Sequence, residues 1–90
     1  MRYSVTLSAH GNIDHGENPY AYLEGVPHGT EHAETIEELQ KIVNDYIEEY
    51  DLGGGNWTGG EVAEDGKVIG KISYNGRYWP LEELKKRGWL

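Results

Sequence analysis

The chain has 90 residues, a length that favours one small domain spanning residues 1–90. Hydrophobic residues make up 37% of it, which suffices for a modest core and exceeds what disordered chains contain. Cysteine is absent, so disulfides and thiolate metal sites are excluded. No segment has the apolar length of a signal peptide or a membrane span, and we therefore expect a cytoplasmic protein without membrane contacts.

The net charge of −8 arises from 16 acidic and 8 basic residues. The excess is uneven, because residues 36–52 hold six acids and one base, whereas residues 53–90 hold five acids and six bases. A negative surface repels phosphate backbones, so nucleic acid is an unlikely partner and a basic protein surface a better one.

Two strands are predicted in the N-terminal third. Apolar residues at every second position over residues 2–8 indicate a half-buried strand. Residues 10–19 are rich in Gly, Asn, Asp and His and are typical of a loop. Residues 20–26 predict a second strand, which Gly25 and Pro27 would end.

The clearest element is a helix from Ile36 to about Asp51. Thr35 and Glu38 form the sequence pattern of a capping box, in which the hydroxyl accepts an amide hydrogen bond and the carboxylate reaches back to the cap amide. Apolar residues recur behind this cap at steps of three and four, which is typical of an amphipathic helix. Gly53 is expected to supply the left-handed residue that ends the helix.

Two turn dipeptides, Asp65-Gly66 and Asn75-Gly76, predict a three-stranded meander in the C-terminal part. Gly70 lies in the middle strand, where it would permit close approach of the helix or mark a bulge. With tight two-residue turns, the expected cross-strand pairs are Ala63 with Val68, Val62 with Ile69, Ile72 with Trp79, Ser73 with Tyr78, and Tyr74 with Arg77.

A short helix is expected at the C-terminus. It starts near Pro80, carries acids in its first turn and bases in its last, and ends before Gly88. Together the elements predict a two-layer α+β fold, with one long helix packed on a small antiparallel sheet of four to five strands and a short C-terminal helix.

The four histidines raise the question of a metal site. His28 to His32 match the H-x-x-E-H pattern of inverted zinc peptidases, but Gly29 weakens any helix that would align the two rings. We therefore expect exposed loop residues there, and no metal or cofactor. The alternative is a small metal-binding protein or enzyme in which the loop brings the imidazoles together. Its candidate ligands are His10, His15, His28 and His32.

The glycine-rich residues 53–60 do not predict a phosphate-binding loop. Such loops follow a strand and open a helix, whereas here the glycines follow a helix and precede a strand. We expect a helix stop and a sharp reversal, with Trp57 as a hydrophobic plug.

The aromatic residues suggest an interaction surface. The chain has seven Tyr, three Trp and no Phe, so every ring carries a polar group, as at interfaces that bury rings against a partner. Tyr, Trp and Arg dominate binding hot spots. The alternative places Trp79 in the core with Ile72, and Tyr78 on the terminal helix. The candidate interaction residues are Tyr74, Arg77, Tyr78, Trp79 and Trp57.

An acidic cluster crowds the end of the main helix, where negative charge opposes the helix dipole. It consists of Asp45, Glu48, Glu49 and Asp51. The leading hypothesis is a non-enzymatic protein–protein interaction module, which includes self-association as a homo-oligomer. The main alternative is an acidic nucleic-acid mimic or inhibitor protein of a mobile element. Nothing in the sequence is positive evidence for catalysis, although a catalytic site assembled in three dimensions is left open.

Overall fold

Five antiparallel strands and two helices make up the computed structural model, which describes residues 2–11, 16–18 and 20–88. In spatial order the strands form one sheet, β2-β1-β3-β4-β5. Within the described residues no helix has the length and apolar character to cross a membrane. The elements in chain order are β1 Tyr3–Leu7, β2 Gly29–Ala33, α1 Ile36–Glu49, β3 Glu61–Glu64, β4 Lys67–Ile72, β5 Tyr78–Pro80 and α2 Leu81–Lys86.

The predicted two-layer α+β architecture is confirmed. Helix α1 packs against β1 and β2 over the main core, and α2 packs against β4 and β5. Side chains of α2 lie beside Glu61 and Lys71, so α2 covers part of the sheet face opposite α1. The main core contains Val5, Leu7, Ala9, Ala33, Leu39, Val43, Tyr46, Leu52, Val62 and Ile72.

The strand predicted over residues 20–26 is wrong. Those residues form turns, apart from one isolated bridge between Tyr22 and His10. The strand instead occupies Gly29–Ala33, which was expected to be a loop. Of its five residues only Ala33 is buried, so the apolar alternation that reveals a half-buried strand is absent.

The start of α1 is as predicted, but its end is not. Thr35 caps the helix, and its hydroxyl accepts the Glu38 amide hydrogen bond at 3.1 Å. The other half of the predicted capping box differs, because the Glu38 carboxylate accepts a hydrogen bond from the Thr35 hydroxyl at 3.3 Å, where the Thr35 amide was expected as the donor. The left-handed residue after the helix is Asp51, with φ of 50°, and not Gly53. Aspartate tolerates this region because its short polar side chain bonds locally.

The meander forms, with two corrections of register. Asp65 and Gly66 make the expected two-residue turn, and Ala63 pairs with Val68. Val62 pairs with Gly70 rather than Ile69, since Ile69 is the extra residue of a β-bulge.

At the second turn the Ser73 amide donates to the Arg77 carbonyl at 3.0 Å, which leaves three residues in the loop instead of two. Ile72 therefore pairs with Tyr78, and Trp79 pairs with Lys71. Since neighbouring residues of a strand point to opposite faces, Trp79 lies on the face opposite Ile72.

A Cβ on Gly70 would lie 2.4 Å from the Trp79 carbonyl oxygen and 2.8 Å from Cε1 of Tyr78. Strand β5, and not the main helix, therefore makes the close approach at Gly70, and the bulge that we gave as the alternative lies next to this residue. The C-terminal helix ends as predicted, with Gly88 at a φ of 72°.

Candidate functional site

The aromatic residues singled out in the sequence do not share one exposed surface. Trp79 is 8% exposed, and its indole N–H donates to the Ser73 hydroxyl at 3.1 Å. The Arg77 guanidinium stacks over this indole, 4.0 Å from the ring centroid. Tyr78 and Trp57 are half-buried, and only Tyr74 keeps a large exposed fraction, 44%. At this hairpin the outward-facing members of the set are Tyr74 and Arg77.

Polar atoms of several of these rings form hydrogen bonds within the fold, a role that Phe could not fill. The Tyr78 hydroxyl donates to the carbonyl of Ile69, and the Trp57 indole donates to the carbonyl of Ile72, each at 3.2 Å. The Tyr74 hydroxyl donates to the Leu52 carbonyl at 2.9 Å. A buried carbonyl without a donor is costly, so phenols and indoles in these places stabilise the native state where Phe would not.

The histidines meet only in part. The Tyr22 ring stacks on His28, with centroids 3.9 Å apart, and the centroid of the His10 ring lies 4.6 Å from that of Tyr22. His32 lies on β2 four positions after His28, and four steps of extended chain span about 13 Å. His15 lies outside the described residues. Among the described residues, no group of three or more His, Asp or Glu is arranged to hold a metal ion.

A hydroxyl–imidazole cluster lies beside this stack. Thr58 Oγ1 is 2.6 Å from His10 Nδ1 and 3.1 Å from Ser8 Oγ, so one hydroxyl is hydrogen-bonded to both the imidazole and a second hydroxyl. Two neighbouring amides are already engaged, since those of Thr58 and Gly60 donate to the carbonyls of Ser8 and Thr6. An acyl-transfer site needs such donors aimed at a developing oxyanion. The cluster instead bonds the Thr58 segment to the end of β1.

The acidic cluster divides into two groups. Asp45 and Glu49 line a cavity of about 390 Å³ between α1 and β2, and Glu31 of β2 joins them. Glu48 and Asp51 are exposed outside this cavity. We call the cavity the acidic groove. Its remaining walls are formed by Leu7, Pro27, His28, Gly29, Thr30, Ile42, Tyr46 and Tyr50.

Two bonds fix the helix side of the acidic groove. The buried Tyr46 hydroxyl donates to the Pro27 carbonyl at 2.7 Å and so holds α1 against the entry to β2. Burial raises the pKa of Tyr46, since the charged form of the phenol is disfavoured away from water. Lys41 bonds Asp45 at 2.9 Å, one helical turn away, and this hydrogen bond raises the pKa of Lys41.

A second cavity of about 390 Å³ lies on the opposite face of β2. Its walls carry hydroxyl groups and one carboxylate. We call it the hydroxyl cavity. It is lined by Thr6, Leu7, Ser8, Tyr22, His28, Gly29, Thr30, Thr58 and Glu61.

Both cavities flank β2, an edge of the sheet, and the hydrogen bonds of β1 show which groups of β2 face outward. The Thr6 carbonyl of β1 accepts a hydrogen bond from the Gly60 amide, so the backbone N–H and C=O of Thr6 point towards β3. In an antiparallel strand these directions alternate, and the backbone groups of Val5 and Leu7 therefore point towards β2. The backbone N–H and C=O groups of their partners, Glu31 and Gly29, point inward to β1. Thr30 and His32 consequently direct their N–H and C=O groups away from the sheet.

This outward row was missed by the sequence analysis, as was the exposed Tyr20, whose ring is 93% accessible. Thr30 is β-branched, but one such residue between Gly29 and Glu31 does not predict a strand. Comparisons of the chain with known protein families, curated proteins and solved structures find no match.

Proposed function

We propose that this chain is a non-enzymatic protein-interaction module that binds an extended segment of another polypeptide by strand addition along β2. The observation that carries the proposal is the outward row of N–H and C=O groups at Thr30 and His32, between two cavities. An unpaired edge is a template for another strand, and peptide-binding domains use it so that main-chain bonds give affinity and pockets give specificity.

The other edge of the sheet supports the choice of β2. Strand β5 has three residues and ends at Pro80, which has no N–H to offer. Strand β2 has five residues, and four of them are exposed. Short strands and proline are the usual devices that prevent pairing at an edge. They are present at β5 and absent from Gly29–Ala33 itself, which favours β2 as the binding edge.

Because the chain has no cysteine, we place this interaction in the reducing environment of the cytoplasm. Within the proposal the tyrosine and tryptophan hairpin is a structural part of the module. The hydroxyl–imidazole cluster holds the Thr58 segment beside the edge and has no catalytic task.

The test replaces a single outward N–H. Thr30→Pro removes the edge donor while the inward bonds of Gly29 and Glu31 remain, and proline is tolerated where the lost N–H faces solvent. Thr30→Ala is the matched control, because it removes the same side chain and keeps the donor. Peptides selected from a random library on the wild-type protein are the probe.

We expect Thr30→Pro to bind these peptides about tenfold more weakly than Thr30→Ala, or worse, since an unmade buried hydrogen bond costs ~1–3 kcal/mol. Both variants lack the side chain that lines the two cavities, and only the proline also lacks the N–H. Amide exchange should slow at Thr30 and His32 when peptide binds. Equal binding by a folded Thr30→Pro protein, or protection elsewhere without protection of β2, overturns the proposal. His32→Pro provides a second variant should Thr30→Pro not fold.

A further inference from the structure

We infer that the segment bound at β2 is basic, with Lys or Arg at alternate positions facing the acidic groove; this rests on the proposed strand addition. An added strand continues the pleat of its neighbour, so every second side chain would lie on the α1 side, beside Glu31. The groove on that side holds the carboxylates of Glu31, Asp45 and Glu49. Successive side chains on the other side would face the hydroxyl cavity.

The carboxylates of the groove are only partly neutralised. Asp45 is bonded to Lys41, whereas the ion pairs among the described residues leave Glu31 and Glu49 without a basic partner. The groove also has apolar walls, because Ile42 and Tyr50 are half-buried. Lys and Arg match both features, since their methylene stems cover apolar surface while the charged end reaches a carboxylate.

Charge separates this occupant from a second copy of the chain. Two copies pairing through Thr30 and His32 about a two-fold axis would place Glu31 opposite its own equivalent, and like charges directly opposite destabilise a strand pair. Each copy would also bring a net charge of −8. A basic segment from another protein gains from the same charges, and the chain's field would accelerate its association.

The experiment measures peptide affinity by fluorescence anisotropy, with three synthetic probes of equal length. One alternates Lys with Thr, the second has the same composition with all Lys first and all Thr after, and the third alternates Glu with Thr. Strand addition beside the groove requires the alternating Lys peptide to bind tightest. A purely electrostatic attraction would treat the first two peptides alike, because their charge is identical.

Variants then test the groove. Glu31→Gln and Glu49→Gln should each weaken the alternating Lys peptide about three- to tenfold and reduce its salt dependence. Glu48→Gln is the matched control, an exposed acid of the same helix outside the groove, and should bind like the wild type.

The two proposals fail differently. If Thr30→Pro abolishes binding while Glu31→Gln and Glu49→Gln behave like Glu48→Gln, the basic-segment inference is overturned and the strand-addition module stands. If the folded Thr30→Pro protein binds normally, both are overturned. Light scattering tests a second copy as the occupant. If the mass of the wild type doubles as its concentration rises and that of Thr30→Pro does not, a second copy occupies the edge and the inference is overturned.

Discussion

The two edges of the sheet use their polar groups in opposite ways. At the β5 edge the phenol of Tyr78 and the indole of Trp79 donate to groups of the same chain, and the Arg77 guanidinium covers the indole. At the β2 edge, Thr30 and His32 direct backbone donors and acceptors outward between two cavities. The β5 edge therefore uses its ring donors within the fold, whereas the β2 edge presents backbone groups to its surroundings.

Aromatic residues illustrate the point, because they occur at both edges: Tyr78 and Trp79 lie on β5, and the cavities beside β2 are lined by Tyr22, Tyr46 and Tyr50. The phenol of Tyr78 and the indole of Trp79 have hydrogen-bond partners inside the fold, so burial of these two rings contributes to folding. The open edge consists of Gly, Thr, Glu and His, which have low strand propensity apart from Thr. If this comparison holds, mutations at the β5 edge should change stability, and mutations at the β2 edge should change binding.

The largest expected effect is at Trp79. Trp79→Ala should lower the free energy of unfolding by ~3–5 kcal/mol, as large aromatic truncations in buried sites do. Denaturant titration followed by circular dichroism measures the loss. The peptides selected on the wild type should bind the folded fraction unchanged. Weaker binding by the milder Trp79→Phe variant, at a temperature where it is fully folded, would contradict the assignment of this edge to folding.

Two glycines form a matched pair for the same comparison. Gly70→Ala places a methyl group 2.4 Å from the Trp79 carbonyl oxygen, whereas a Cβ on Gly29 meets no atom within 4 Å. Overpacking of this kind costs ~1–3 kcal/mol. Gly29→Ala should leave stability equal or slightly higher, since alanine reduces the entropy of the unfolded chain. Thermal melts of the two variants test this, and equal melting temperatures would contradict the packing described for β5.

Much of the fold could be predicted because its signals are local. The cap at Thr35 and the turn at Asp65-Gly66 depend on residues a few positions apart, and both form as expected. The register of the last hairpin could not be predicted, because Asn75-Gly76 suits both two- and three-residue loops. One added loop residue moves Trp79 to the other face of the sheet.

The site was less predictable than the fold. Strand β2 is stabilised by its pairing with β1 and by burial of Ala33 alone, and both are long-range effects with no periodic signature. Glu31 joins Asp45 and Glu49 only because α1 packs beside β2. The acidic cluster was visible in the sequence, but its division into groove and surface members depends on this packing.

The division of the acidic cluster into groove and surface members predicts a smaller effect on stability and a difference in binding. Glu48→Lys and Glu49→Lys each replace a charge that opposes the helix dipole, so each should stabilise the isolated protein by ~0.3–1 kcal/mol. Their binding should differ, because only Glu49 lines the acidic groove. We expect Glu49→Lys to lose the alternating Lys peptide and Glu48→Lys to keep most of its affinity. Equal losses in both, measured by anisotropy at moderate salt, would show that the whole helix end acts as one charged surface.

The smallest effect concerns Tyr46, which joins α1 to the entry of the open edge through the Pro27 carbonyl. Burial raises its pKa in the folded state, so the unfolded chain releases this proton first. The associated stability is therefore complete below about pH 10, where the phenol is neutral in both states, and is lost as the pH rises further. Urea midpoints measured between neutral and alkaline pH should fall less steeply for Tyr46→Phe than for the wild type. Tyr20→Phe, at a ring that is 93% exposed, is the control and should follow the wild-type curve.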